Sequence, residues 1–266
     1  MPYAFFLDID GTLIDYKFVP AENRIAIDEA RDAGHLVFLN TGRSYRFIPN
    51  RVWDHFEFDG IVCGSGSYAS LGDKLLLHRT ITPSEAAEDA KALMAMNQPF
   101  IFEGEHKVLV WGTPPQHDYW LPIESAEELT GVHADVNLQK INLPGQASPE
   151  AVNYLTKRYH LLQFPTYAEI AIIGCDKGKG MDVVMANLPE SFVSVAIGDS
   201  LNDREMLTAA RISVAMGNST DEVKALCTHE TASVRDAGVA VAIRAILCGE
   251  HKRSRLLQNS AQGDYL

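Results

Sequence analysis

The chain has 266 residues, of which 46% are hydrophobic and 22% charged, and its formal net charge is −12. This composition excludes a disordered or collagen-like chain, and the acidic balance argues against a nucleic-acid partner, because phosphate backbones are bound by basic surfaces. The longest apolar stretch, residues 237–248, is interrupted by Arg244 and is too short to cross the ~30 Å hydrocarbon core of a membrane. Residues 1–7 contain no basic residue, so we expect neither a signal peptide nor a membrane partner.

The cysteines indicate a reducing compartment. Cys63, Cys175, Cys227 and Cys248 are far apart in the sequence and have no C-x-x-C spacing. We therefore predict buried thiols in a cytoplasmic protein, and neither a disulfide framework nor a zinc site.

Short apolar runs alternate with helical patterns near the two ends of the chain. Residues 4–7 predict a strand buried on both faces, residues 21–33 a helix, and residues 36–39 and 60–63 two further strands. The same alternation returns late, with strands over 192–197 and 212–215 and a helix over 203–210 between them. This order predicts an α/β fold with a Rossmann-like, mostly parallel sheet, which binds ligands at the carboxyl ends of its strands.

The middle of the chain has a different pattern. Residues 137–143 alternate polar and apolar side chains, which is typical of a half-buried antiparallel strand. We interpret residues 82–173 as an α+β domain inserted into a sheet domain formed by 1–81 and 174–266. We expect the polar tail from Glu250 onward to be mobile or loosely docked. The other elements predicted in the insert are helices over 83–96 and 149–159 and strands over 99–103, 107–111 and 169–173.

A pair of carboxylates follows the first predicted strand. Asp8 and Asp10, in the run Asp8-Ile9-Asp10-Gly11-Thr12, are two residues apart on extended chain and therefore project to the same side. Their mutual repulsion favours a hard dication such as Mg²⁺ as a partner. The alternative is an Asp-rich turn, since Asp and Gly are common in turns.

Other polar groups follow other strands of the predicted sheet. Asp199 closes a late strand and offers another metal carboxylate, Thr41 and Gly42 close the second strand, and Lys177 lies at a loop-to-helix junction. A metal, a lysine and oriented donors are what phosphoryl transfer requires, because catalysis there consists of positioning and charge neutralisation. The sequence therefore predicts phosphoryl-transfer chemistry.

These motifs together resemble a known family. The order of Asp8-x-Asp10-Gly-Thr, Thr41-Gly-Arg, Lys177-Gly and Gly198-Asp199-Ser-x-Asn202-Asp203 is similar to the haloacid dehalogenase superfamily, and more narrowly to the Cof-type phosphatases of subfamily IIB. The runs 140–143, 169–170, 214–219 and 236–239 also resemble that subfamily. The resemblance implies a Rossmann-like core with a cap domain inserted between Thr41 and Lys177.

The resemblance also implies a role for each motif residue. Asp8 is expected to be the nucleophile that forms an aspartyl-phosphate, and Asp10 the acid/base, while Asp8, the Asp10 backbone carbonyl and Asp199 hold Mg²⁺. The groups implied to hold the phosphoryl oxygens are the Ile9 amide, Thr41, Gly42, Lys177 and Asn202. Arg43 and Asp203 are additional candidates, and Arg43 either steadies the phosphate end of the site or pairs with a surface carboxylate.

Two features depart from the family pattern or leave a choice open. The chain has Ser65-Gly66-Ser67 where the family usually has an Asn-Gly-Ala run, which bears on the substrate or on loop conformation. Lys179 lies two residues after Lys177, and a shift of the loop would exchange them.

The function expected from the sequence is Mg²⁺-dependent hydrolysis of a small phosphorylated metabolite, with a sugar phosphate as the commonest substrate that the resemblance implies. A phosphohexomutase of the same fold is the alternative. A third reading is a non-catalytic phospho-receiver or binding module, which also uses clustered Asp, Thr and Lys. Receivers, however, carry the acceptor Asp on the third strand and are about half as long. The sequence says nothing of the oligomeric state.

Overall fold

The computed structural model describes residues 1–16 and 18–249. The predicted polar tail from Glu250 onward lies outside these residues. The strands described are β1 (Tyr3–Leu7), β2 (Leu36–Asn40), β3 (Gly60–Cys63), β4 (Tyr68–Leu71), β5 (Lys74–His78), β6 (Phe100–Gly104), β7 (Val108–Trp111), β8 (Trp120–Pro122), β9 (Leu138–Pro144), β10 (Tyr159–Gln163), β11 (Tyr167–Ile172), β12 (Val193–Gly198), β13 (Ile212–Ala215) and β14 (His229–Glu230). The α-helices described are α1 (Ala21–Asp32), α2 (Asn50–His55), α3 (Pro83–Ala95), α4 (Pro149–Leu155), α5 (Lys177–Met185), α6 (Arg204–Ala209), α7 (Asp221–Leu226) and α8 (Gly238–Leu247).

Backbone contacts divide the chain into two compact units. The first comprises Met1–Asn40, Arg51–Ile61 and the described residues from Val184 onward, and the second comprises Thr41–Asn50 and Val62–Val183. The predicted insert, residues 82–173, lies wholly within the second unit, and its boundaries stay a prediction.

The first unit contains the strands β14, β13, β12, β1 and β2, which are neighbours in this order and pair in parallel. The central strand β1 pairs in parallel with β12 on one side and β2 on the other, and all five of its residues are buried. This confirms the Rossmann-like α/β core. The register that pairs Leu7 with Ile197 brings the carboxyl ends of β1 and β12 to the same edge of the sheet.

A buried asparagine fastens the loop after β1 to two helices of the first unit. Asn23 of α1 donates to the Leu13 carbonyl at 3.3 Å and accepts from the Ala240 amide of α8 at 3.0 Å. Its side chain is fully buried, so both bonds replace water contacts that folding removes. The loop that carries Asp8 and Asp10 is thus held at its far end.

The second unit is built on a six-stranded sheet in the order β10-β11-β9-β6-β7-β8. The pairing is antiparallel for β6 with β7 and, as predicted for residues 137–143, for β9 with both of its neighbours. One face of this sheet presents Phe100, Phe102, Ile141 and Ile170 to a core that also contains buried residues of α3 and α4.

Two strands of this sheet were not predicted. The helix predicted over 149–159 ends at Leu155, and β10 follows, because the buried Tyr159 pairs with Ile172 and its hydroxyl donates to Asp89 at 2.6 Å. The strand β8 lies in a region where no periodic pattern is visible, and it pairs with β7 through Trp120 to Pro122. Both strands depend on partners distant in the sequence, which local patterns do not report.

The alternating strand β9 is buried on both faces, so the prediction that it is half-buried is wrong. Lys140, on its polar face, is 2% exposed. That face lies against the segment Thr41–Asn50: Lys140 donates to the Gly42 carbonyl, and the Gln139 side chain accepts from the Tyr45 amide at 2.9 Å. The polar residues of β9 therefore meet another part of the chain where the pattern predicted water.

The cysteines are all free thiols, but only two of the four match the prediction of burial. Cys63 and Cys175 are buried, Cys227 is half-buried and Cys248 is exposed. Within residues 1–16 and 18–249, no helix is both long and apolar enough to cross a bilayer.

The buried Glu103 of β6 generates a pH-dependent prediction. Burial raises the pKa of its carboxyl, although the nearby Lys140 opposes this and Glu169 adds to it. The folded state therefore retains a proton that the unfolded state has lost, so the carboxyl destabilises the fold as pH rises from about 4.5 through the folded-state pKa. We expect the free energy of unfolding of Glu103→Gln, relative to that of the parent, to be higher at pH 8 than at pH 4. Urea unfolding of both proteins at both pH values measures this difference.

Glu190→Gln is the matched control, because Glu190 is exposed. The difference in free energy of unfolding between Glu190→Gln and the parent should be the same at pH 4 and pH 8. A Glu103→Gln difference that stays constant between pH 4 and pH 8 would contradict the assignment.

Candidate active site

The first element of the site is the carboxyl end of β1. Asp8 is 4% exposed, and its backbone amide donates to the Ile197 carbonyl of β12 at 3.1 Å. The chain then turns back on itself, since the amides of Gly11 and Ile14 donate to the carbonyls of Ile14 and Ile9 at 2.9 and 3.0 Å. Ile9 is buried, whereas Asp10 lies exposed on the turn.

The second element is the loop after β12. The fully buried Asp203 accepts hydrogen bonds at one carboxylate oxygen from the amides of Asp199 and Ser200, at 2.9 and 3.1 Å. The Asn202 side chain accepts from the Ser200 hydroxyl at 2.8 Å. Asp203 thus fixes the backbone that carries Asp199, a role that its place in the sequence motif did not specify.

These two loops bring three carboxylates together. One oxygen each of Asp8, Asp199 and Asp203 lies within 4.8 Å of the others. An all-oxygen set of anionic ligands is what Mg²⁺ and Ca²⁺ prefer, and a cation there would offset the repulsion between the carboxylates. The residues present therefore fit a hard dication. Asp203 takes part in this cluster as a carboxylate, whereas the expected contribution of Asp10, through its backbone carbonyl, stays a prediction.

A glycine makes room for the cluster. Gly11 has φ +79°, a left-handed conformation, and a Cβ built on it would overlap the Asp199 carboxylate. Any side chain at this position would therefore both strain the backbone and displace Asp199. The glycine of the Asp-x-Asp-Gly-Thr motif is explained by this close approach.

Asn218 belongs to the same region, although it is not among the site residues that the motifs predict. Its side-chain amide donates to the Gly11 carbonyl at 2.9 Å and lies 3.5 Å from an Asp199 carboxylate oxygen, and its side-chain oxygen accepts from the Val234 amide at 2.8 Å. Asn218 therefore connects the loop after β1 with Asp199. The signal that could have found it is its position in the polar loop that follows the predicted strand over 212–215.

Thr41, Gly42 and Arg43 lie in the second unit. Thr41 is buried, its amide donates to the Val62 carbonyl at 2.9 Å, and its hydroxyl accepts from the Arg43 amide at 3.2 Å. The Arg43 guanidinium donates to the Phe47 carbonyl at 3.1 Å, a backbone acceptor that neither reading of this residue anticipated.

Lys177 begins α5, also in the second unit. It is 2% exposed, whereas the neighbouring Lys179 extends into solvent and pairs with Asp176 at 3.3 Å. The helix start packs closely on the turn after β3, because a Cβ on Gly66 would overlap the Asp176 backbone. Of the two lysines, burial at the helix start favours Lys177 as the functional one.

Comparison with known proteins identifies the family. The model of the haloacid dehalogenase-like hydrolases matches residues 5–243. The chain belongs to this family. The family resemblance drawn from the motifs is confirmed, and the chain is an enzyme, a hydrolase of the phosphatase type that the family contains.

Three relatives illustrate the breadth of the similarity. The 5-amino-6-(5-phospho-D-ribitylamino)uracil phosphatase YcsE of Bacillus subtilis is 27% identical over 252 residues, covering 90% of this chain and 93% of the relative. The HMP-PP phosphatase of Escherichia coli is 26% identical over 250 residues, covering 84% and 86%. The solved structure of the subclass IIB sugar phosphatase BT4131 is 25% identical, covers 92% of this chain and 98% of its own, and has a TM-score of 0.76.

The position of Asn218 predicts a role in metal binding. In Asn218→Ala, the Gly11 carbonyl loses a donor and the Asp199 carboxylate loses a neighbour, so we expect Mg²⁺ affinity to fall about 10–100-fold, as is usual when a partner of a metal ligand is removed. The measurement is the Mg²⁺ concentration that gives half-maximal phosphate release. Asn153→Ala, at an exposed position of α4, serves as control. An unchanged Mg²⁺ requirement in Asn218→Ala would exclude the role.

Proposed function

We propose that this enzyme is a Mg²⁺-dependent phosphatase that hydrolyses a small phosphorylated metabolite through an aspartyl-phosphate on Asp8. The observation that carries the proposal is the cluster of Asp8, Asp199 and Asp203 at the ends of β1 and β12. Asp8 and Asp203 are almost completely withdrawn from water. Such a grouping of anions is costly unless a cation or a proton compensates it, and phosphatases of this family supply the cation as part of the reaction.

The proposed chemistry assigns a role to each acidic residue. When bound by Asp8, the Asp10 backbone carbonyl and Asp199, Mg²⁺ supplies positive charge that lets a carboxylate approach a phosphate dianion. Asp8 attacks phosphorus, and Asp10 protonates the departing oxygen and then takes a proton from the water that hydrolyses the intermediate. Exposure of Asp10 supports this role, because its carboxyl can exchange protons with solvent.

The proposed phosphoryl ligands are the Ile9 amide, Thr41, Gly42, Lys177 and Asn202. Burial of Lys177 supports its assignment, since an ammonium group that is shielded from water interacts more strongly with an anion. We retain the division into a core formed by 1–81 and 174–266 and a cap formed by 82–173 as part of the proposal. The free thiols support the proposed location in the cytoplasm.

For the substrate, we propose a phosphate ester of a sugar or sugar-like polyol. BT4131 is described as a sugar phosphatase, and the substrate named for YcsE carries its phosphate on a ribityl chain. The HMP-PP phosphatase is named for a different phosphorylated compound, so a panel of phosphorylated metabolites is needed to identify the substrate. A phosphohexomutase would share the aspartyl-phosphate but return it to the sugar.

Asp8 provides the decisive test. We expect the purified enzyme to release inorganic phosphate from at least one member of a panel of sugar and polyol phosphates, and Asp8→Asn to lose more than about 10³-fold in kcat, because the nucleophile is gone. Asp236→Asn, a substitution outside the proposed site, is the control. Substantial turnover by Asp8→Asn would remove Asp8 as nucleophile. Conversion of a hexose 1-phosphate to its positional isomer, without release of phosphate, would identify the mutase instead.

Metal removal gives an independent test. Treatment with EDTA should abolish phosphate release, and added Mg²⁺ should restore it, because the clustered carboxylates would otherwise repel the substrate phosphate. The control is the same enzyme dialysed without chelator. Full activity of the chelated enzyme would contradict the proposed use of a metal.

A further inference from the structure

The six-stranded sheet of the second unit has a charged patch on the face opposite its apolar core. Cross-strand register places Glu103 of β6 opposite Lys140 of β9, and Glu169 of β11 opposite Asn142. Lys140 Nζ lies 3.0 Å from a Glu169 carboxylate oxygen, and Asn142 donates to Glu103. Glu103 and Lys140 are 1% and 2% exposed, so this patch is interior.

A gain in the stability of the fold does not explain why these charges are buried. Withdrawing an ion pair from water costs about as much as the pair returns, and apolar residues of similar size are often at least as stabilising. A buried lysine between two glutamates is therefore better explained by what it holds in place. The group that it holds belongs to the Thr41-Gly42-Arg43 motif.

Lys140 Nζ donates to the Gly42 carbonyl at 3.1 Å. That carbonyl and the Arg43 amide belong to the same peptide group, and the Arg43 amide donates to the Thr41 hydroxyl at 3.2 Å. The peptide is thus held at its oxygen by an ammonium group and at its nitrogen by the hydroxyl of Thr41. The Ser65 hydroxyl makes a longer bond to the same carbonyl, at 3.4 Å.

This arrangement determines which way the Thr41 hydroxyl can donate. Because its oxygen accepts the Arg43 amide, its own hydrogen must point elsewhere, toward another acceptor. A cation on the carbonyl also polarises the peptide and strengthens its N–H as a donor. The orientation of Thr41 therefore depends on a residue that lies about 100 positions away in the sequence.

The same sheet face holds the following residues of the segment. The Ser44 amide donates to a Glu103 carboxylate oxygen at 3.4 Å, and the Tyr45 amide donates to the Gln139 side chain at 2.9 Å. Beyond them, Phe47 packs on the buried Trp120 with ring centroids 5.6 Å apart. Of these contacts, the one between Lys140 and Gly42 is nearest to Thr41 along the chain.

We propose that Lys140 is a positioning residue, which orients the Thr41 hydroxyl for the phosphoryl group through the Gly42–Arg43 peptide. The inference rests on the proposed function, since it assumes that Thr41 binds the phosphoryl group. It gives Lys140 no contact with the substrate phosphate. It places Lys140, as a determinant of phosphate binding, on the six-stranded sheet of the second unit.

The test separates positioning from folding. Lys140→Met alone leaves the half-buried Glu169 carboxylate without its cation, so the working variant is the double substitution Lys140→Met with Glu169→Gln, and Glu169→Gln alone is its reference. We expect the double variant to unfold near the parent temperature but to lose about 10–100-fold in kcat/KM, a loss of the size that follows from small misplacement of a reacting group. Lys107→Met is the matched control, because Lys107 pairs with Asp135 in the same unit.

A double-mutant cycle with Thr41 decides the mechanism. If Lys140 acts through Thr41, adding the Lys140 substitution to Thr41→Val should lower kcat/KM by less than about threefold, because the hydroxyl that Lys140 orients is already absent. Independent, multiplicative losses would overturn the proposal. So would a Lys140 variant with the parent kcat/KM.

Hydrogen exchange of the amides of residues 41–47 gives a readout that needs no catalysis. We expect faster exchange there in the double variant and unchanged exchange in Lys107→Met. Unchanged exchange in the double variant would overturn the proposal even if activity fell.

If the parent enzyme released no phosphate from any ester, the proposed function would fail. Binding of inorganic phosphate to the parent and to the variant, followed by NMR, would then decide the role of Lys140 separately: equal affinities would overturn it, and weaker binding by the variant would support it.

Discussion

The repulsion among three closely spaced carboxylates, two of them buried, is the constraint on which the rest of the site depends. At the separation of Asp8, Asp199 and Asp203, two like charges repel by about 3–4 kcal/mol at an effective dielectric of 20. Hydrogen bonds from the Asp199 and Ser200 amides compensate part of this at Asp203. A bound cation would offset the remainder, and the oxygen ligands of these three residues fit a hard dication.

The parallel sheet is what makes such a concentration of charge possible. Strands β1 and β12 are paired along the whole of β1, so their ends meet at one edge although Leu7 and Ile197 are 190 positions apart in the sequence. The loops that follow are fixed at several points, by Asn23 behind the first loop and by Asn218 between the two. These neutral side chains supply donors and acceptors without adding charge. Rigid support of this kind is needed because like charges would otherwise move the loops apart.

Much of the fold and part of the site could be predicted from the sequence. The buried strands of the parallel sheet are short, continuous apolar runs, a pattern typical of strands covered on both faces. Asp8 and Asp199 follow two of these runs directly. What could not be predicted depends on contacts between distant segments. The hydrogen bonds of Asp203 and Asn218 follow from loop geometry. Strand β10 depends on the pairing of Tyr159 with Ile172 and on the hydrogen bond from the Tyr159 hydroxyl to Asp89.

The error over β9 has a particular physical cause. Alternation of polar and apolar residues reports that the two faces of a strand differ, and it does not report what covers the polar face. Water usually does, but here the segment Thr41–Asn50 covers it, and the polar side chains bond to that segment's backbone. A backbone segment needs such partners, since its own amides and carbonyls are otherwise left unsatisfied on burial.

The two faces of this sheet consequently serve different purposes. The apolar face, with Phe100, Phe102 and Ile141, supplies the burial that stabilises the second unit. The opposite face also buries apolar side chains, among them Ile101 and Trp120, but its charged residues contribute little to stability, because each charge must be desolvated before it can pair. What directed bonds offer, and apolar packing does not, is orientation: a lysine bound to one carbonyl fixes a peptide plane, whereas a leucine in its place would leave that plane free to tilt. The presence of charge in the interior of the sheet is therefore explained by geometry near Thr41 more readily than by the stability of the fold.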